Sequence, residues 1–142
     1  METRVVGDQP RRIRAKYSAS MLGEMHKNVN LGPQEHLLFQ AKVHQRRNAL
    51  LKVPGILWLT PDRMLLLEHH LFVPDQILEI PRITITGVEY DPAQSLDWVS
   101  VRYLDHGANR QLFLHPLEIF DALNQFWSGQ VNQKRLAASN QH

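Results

Sequence analysis

Cysteine is absent from the 142 residues. That excludes a disulfide scaffold, a thiol nucleophile and any thiolate metal site. Glycine occurs only seven times, and nowhere as a phosphate-cradling loop. Long apolar runs are missing as well. The most apolar stretches are ILWL at 56–59 and MLLL at 64–67. Both fall far short of the roughly 20 residues a membrane helix needs. The first twenty residues hold no apolar stretch of signal-peptide length. A cytoplasmic location is the expectation, with any lipid contact peripheral.

What is present is ordinary globular material. Hydrophobic residues make up 43% and charged residues 21%, enough to build a core without a metal or a staple. One folded domain is expected at this length. The net charge is +2, but it is unevenly spread. Residues 1–52 hold ten Lys/Arg against four Asp/Glu, while residues 53–142 hold six against ten. Arg11, Arg12, Arg14 and Lys16 make a short basic cluster near the start. Such a cluster is either a solvated arm or a segment that meets a polyanion.

The periodicity changes along the chain. Residues 1–16 read as irregular and dispensable for folding. Tyr17, Met21, Leu22, Met25 and Val29 fall at helical intervals, which predicts a short helix over 18–30, stopped by Gly32-Pro33. Leu37, Phe39, Ala41 and Val43 then alternate with polar neighbours, the pattern of a half-buried strand. Residues 46–54 read as a connection bounded by Pro54-Gly55. Strands follow at 56–60 and 63–69, joined by a tight turn at Thr60-Pro61-Asp62-Arg63. Further strands are expected at 77–80, 84–90, 99–103 and 110–115. Pro116 sits where a first helical residue belongs. Leu117, Phe120, Leu123, Trp127 and Val131 line one face of a helix expected over 116–134. Phe120, Leu123 and Trp127 are the residues expected to be buried. About seven short strands and a final helix make an α+β order, a small antiparallel β-barrel with the helix plugging one mouth.

Three segments carry a resemblance. Glu35-His36-Leu37-Leu38-Phe39 is followed by Gly55-Ile56-Leu57-Trp58-Leu59-Thr60-Pro61-Asp62-Arg63-Met64-Leu65. Ile80-Pro81-Arg82-Ile83-Thr84-Ile85-Thr86-Gly87-Val88 comes next. This order resembles the GRAM branch of the pleckstrin-homology-like (PH-like) superfamily. There a "G-x-L-x-L-T-x-x-R-L" hairpin precedes an "I-P-L-x-x-I-x-x-V" segment and a C-terminal helix. Gly55, Leu57, Leu59, Thr60 and Arg63 stand in register. Arg82 departs, because an aliphatic residue is usual there. The likeness covers roughly 34–130. It implies three regions: a basic arm with the short helix over 1–33, a PH-like domain over 34–135, and a flexible tail over 136–142. In the physical reading Ile83 and Val88 return the chain to the core. The motif residues belong to the fold, so the resemblance implies architecture more strongly than function.

No constellation for catalysis stands out. The eight histidines lack ligand spacing, and His69-His70 would point to opposite faces of a strand. The serines form no nucleophile elbow. No enzyme activity, metal or cofactor is expected. Two surfaces are worth following. Arg46, Arg47 and Lys52 lie in the connection after the first strand. In lipid-binding members of the superfamily that connection meets anionic headgroups, and Leu50 and Leu51 stand beside it. Leu71, Phe72 and Val73 form an apolar loop, either packed inward or marking a partner surface. The expected function is a non-enzymatic module binding a protein partner or a second copy of itself. The alternative is a peripheral module that binds anionic lipid through Arg46, Arg47 and Lys52. Nucleic acid ranks last, because Tyr17 is the one aromatic near the basic cluster.

Overall fold

The computed structural model describes residues 8–15, 31–47, 51–69, 74–90 and 98–129. The helix expected over 18–30 and the loop Leu71, Phe72 and Val73 lie outside them. Eight antiparallel strands and one helix make up the described chain. They are β1 (Arg11–Arg14), β2 (Phe39–Arg46), β3 (Lys52–Leu59), β4 (Arg63–Glu68), β5 (Gln76–Pro81), β6 (Ile85–Tyr90), β7 (Val99–Asp105), β8 (Ala108–His115) and α1 (Phe120–Ser128). They form one sheet in the order β1-β5-β4-β3-β2-β8-β7-β6.

The sheet does not close into the barrel expected from the sequence. Strand β2 is the corner between its two halves. It pairs with β3 along its whole length but with β8 only through His44↔His115 and Gln45↔Leu114. Closure would require β5 to pair with β6. Instead β1 takes the free side of β5, with Arg11 opposite Glu79 and Arg14 opposite Gln76. The arm is therefore not irregular throughout: four of its residues are the sheet's eighth strand. Deleting residues 1–15 should cost about 2–3 kcal/mol through lost strand pairing and ion pairs. That is a melting-temperature drop of roughly ten degrees at this size. An unchanged melting temperature would show that β1 contributes nothing.

The core explains the apolar runs. Leu57, Leu59, Met64, Leu66, Leu78 and Ile80 face the inside, with Val99, Val101 and Leu114 from the other half of the sheet. Ile56, Trp58, Leu65, Leu67 and Ile77 form a second buried cluster on the opposite face. Continuous apolar runs are what a strand buried on both faces requires. Trp58 satisfies its indole N–H on the Gln40 side-chain oxygen at 2.7 Å. Pro54-Gly55 lies inside β3 rather than ending a loop. A Cβ at Gly55 would run into the Leu67 carbonyl, so this close approach of β3 to β4 requires glycine.

The helix differs from its expected form in length and in rotation. A 3₁₀ turn at Leu117–Ile119 precedes α1. Gly129 then ends it in the left-handed region, at φ 78°, with its N–H on the carbonyls of Gln125 and Phe126. The helix α1 therefore ends at Ser128, and the expected continuation over 130–134 lies outside the described residues. Ile119, Leu123 and Phe126 are the buried stripe, whereas Phe120 and Trp127 are half-buried. Trp127 stays at the margin because its indole N–H donates to the Ile85 carbonyl at 3.0 Å. Ile83 is 74% exposed on a 3₁₀ turn (Arg82–Thr84), and Ile85 takes the core position instead. Arg82 has a local role: its side chain donates to the Pro61 carbonyl, tying this turn to the β3–β4 hairpin.

Candidate functional site

The turn at Thr60–Arg63 brings together polar residues that are far apart in sequence. Arg63 opens β4 and is 1% exposed. Its guanidinium donates to both carboxylate oxygens of Glu35, each at 2.7 Å, and to Glu79 Oε1 at 2.8 Å. The Thr60 hydroxyl donates to Glu35 at 2.6 Å, and the Gly32 N–H donates to the same carboxylate. Burial alone would raise the Glu35 pKa. The hydrogen bonds from Arg63, Thr60 and Gly32 outweigh it and hold the carboxyl below the ordinary range. The sign of the pH dependence follows. With the folded value depressed, Glu35's contribution is complete above its unfolded pKa of about 4.3. It is lost as pH falls through the lowered folded value. Stability measured by urea between pH 6 and pH 3 should fall, and Glu35→Gln should flatten that fall. A wild-type profile flat to pH 3 would contradict this geometry.

A second polar group lies at the other end of β4. The Glu68 side chain is fully buried and meets Arg12 at 3.1 Å and Arg47 at 3.2 Å. The Glu68 hydrogen bond raises the Arg12 pKa above its already high value. Burial pushes the Tyr103 phenol up, against the pull of Arg12. Gln9 accepts the His106 N–H at 2.8 Å, so the arm touches the β7–β8 hairpin as well as β5.

The cationic loop expected from the sequence is shorter than predicted. Arg46 ends β2 directly opposite Lys52, which opens β3. Arg47 lies just past the end of β2, and its side chain parts from that of Arg46. Arg47 turns to Glu68. Arg46 lies over Phe113 at 4.8 Å and Trp98 at 5.8 Å, and Lys52 over Trp98 at 5.8 Å. His115 packs on the same indole at 5.4 Å. The rim thus carries two of the three expected cations, held against aromatic rings, beside Leu51 at 50% exposure. Of the three cations expected on one rim, Arg46 and Lys52 lie over aromatic rings and Arg47 lies against Glu68. Sequence reasoning missed the roles of Glu35, Glu68 and Glu79. Their signal was an isolated carboxylate within or beside an apolar run.

No protein-family model matches the chain, and no curated protein matches it significantly. Solved structures do. The DH/PH domains of p115-RhoGEF, as the R399E mutant, superpose with a TM-score of 0.54 at 14% identity, over 81% of this chain and 36% of that one. An N-terminally truncated linker-DH/PH structure of p115-RhoGEF gives 0.50 at 14% identity, over 83% and 35%. The fold is PH-like. The chain spans about a third of the length of those DH/PH structures. The C-terminal domain of an unknown protein from Leishmania infantum also superposes, with a TM-score of 0.50 at 15% identity, over 68% of this chain and 84% of that one. Among the described residues, no helix is long and apolar enough to cross a membrane.

Proposed function

We propose that the chain is a non-enzymatic, GRAM-like binding module that joins a protein partner, or a copy of itself, through the open edges of its sheet. The observation that supports this most is β1. It is a strand added in cis to β5, so this sheet already binds an extended segment by main-chain pairing. At the far end, β6 pairs with β7 and, among the described residues, with no other strand. Tyr90 at the end of β6 is 40% exposed. Apart from Ile85, whose carbonyl takes the Trp127 indole N–H, that edge is a template for a further strand.

The rim of Arg46, Lys52 and Leu51 supports a second reading, contact with anionic lipid. Two cations near such a surface supply only about 2 kcal/mol, fading within a Debye length. That is too little for stable attachment. Pelleting with phosphatidylserine-containing vesicles, run beside light scattering over a range of concentrations, separates the two readings. The chain should stay in the supernatant at physiological salt. Pelleting at that salt, abolished by Arg46→Glu with Lys52→Glu, would replace the protein-binding reading with the lipid one.

A further inference from the structure

Each buried carboxylate beneath the arm has two kinds of partner. Glu79 is held by Arg63, which the sheet itself supplies at 2.8 Å, and by Arg11 of the arm at 3.4 Å. Glu68 is held by Arg47 at 3.2 Å and by Arg12 of the arm at 3.1 Å. Arg63 of β4 and Arg47, just past the end of β2, are 1% and 30% exposed in their side chains. The arm's Arg11 and Arg12 are 50% and 45% exposed. Removing one partner of a buried carboxylate is severe when no other cation remains. Here one remains for each, so the arm's departure leaves neither Glu68 nor Glu79 without an arginine. What departs is a four-residue strand, the shortest in the sheet, with one apolar residue, Ile13. What stays is the whole edge of β5 from Gln76 to Pro81, flanked by two carboxylates.

We propose that the β5 edge, with Glu68 and Glu79, is a receptor site for a basic extended strand of a protein partner, and that the chain's own Arg11–Arg14 occupies it as a cis competitor. Main-chain pairing supplies affinity, and the two carboxylates select arginines on consecutive residues, one to each face. The choice of a heterologous partner follows from competition. The arm belongs to the same chain, so it competes for the edge at an effective concentration that does not fall on dilution, unlike a free strand. The arm of a second copy is identical to the cis arm and gains nothing over it. A partner strand with further contacts does gain. This inference rests on reading the chain as a protein-binding module. Vesicle pelleting bears on that reading alone, and the peptide experiment below bears on this site alone.

The probe is a labelled peptide of residues 8–15, titrated by fluorescence anisotropy into the full chain. A control peptide carries glutamate at the positions of Arg11 and Arg12. The variant Arg11→Ala with Arg12→Ala, with its fold checked by circular dichroism, should bind the peptide at least tenfold more tightly than the unmodified chain. The control peptide should not bind. A second variant locks the arm: Arg14→Cys with Gln76→Cys joins two residues that face each other across β1 and β5, in a chain with no other thiol. Directly opposed antiparallel residues lie within disulfide reach. The oxidised lock should lose peptide binding, and reductant should restore it. If the alanine variant does not fold, the reduced and oxidised lock carry the comparison. Equal binding to locked and reduced chains, or no binding to a folded arm variant or a folded reduced chain, would overturn the site. A doubled mass in light scattering, abolished by the lock, would make a second copy the occupant and overturn the heterologous assignment.

Discussion

Replacing Arg63 by alanine is expected to destabilise the chain by about 3–5 kcal/mol, because it leaves buried carboxylates without their principal cation. Glu79 is fully buried, and the Glu35 side chain is 6% exposed. Neither can recover full hydration without opening the sheet at the start of β4. The urea midpoint is the measurement. The reason the loss is large also predicts its remedy. Adding Glu35→Gln to the Arg63 variant removes one orphaned charge, so the double variant should be more stable than Arg63→Ala alone. A loss under about 1 kcal/mol for the single change would mean that Arg63 is not clasped between the two carboxylates.

The second large effect is Phe126→Ala, expected to cost about 3–5 kcal/mol. Phe126 is 1% exposed and packs with Ile119 and Leu123 against the core. Trp127→Ala should cost less, about 1–2 kcal/mol, from a half-buried ring and one hydrogen bond to the Ile85 carbonyl. This ordering departs from the one expected from sequence, where Trp127 stood on the buried stripe. The apolar face of α1 is wide enough for either choice. The indole N–H decides between them, since it needs a carbonyl and finds one at the edge of β6.

That departure shows where sequence reading reaches its end. The β3–β4 hairpin was legible because Pro61-Asp62 is a local turn signal and the runs on either side are apolar. The general architecture, antiparallel strands followed by one helix, was legible from alternation and from the final amphipathic stretch. Gly129 was also visible, but a single glycine inside a helical pattern carries less weight than the apolar spacing that continues to Val131. Strand β1 was not legible. Arg11–Arg14 has one apolar residue, and what holds it lies far along the chain: Arg12 reaches Glu68 across 56 residues, and Arg11 reaches Glu79 across 68. No local pattern encodes such a pair. Barrel closure was misjudged for the same reason, since the strand that takes the free side of β5 was read as a loose arm. For the cationic loop, Arg46 and Arg47 were legible as residues and not as a geometry. Their separation follows from where β2 ends, at Arg46, with Arg47 just past it.

Native-state hydrogen exchange is the direct measure of whether β1 is a docked strand. The β1 amides bonded to β5, and the Ala15 amide on the Asp75 carbonyl at 2.9 Å, should exchange well below the rate of an unstructured peptide. They should nevertheless open before the amides of β3 and β4, as a short edge strand does while the core stays closed. Exchange of the arm at the unstructured rate would contradict the account, because neither the eighth strand nor the receptor edge beneath it would then have an occupant.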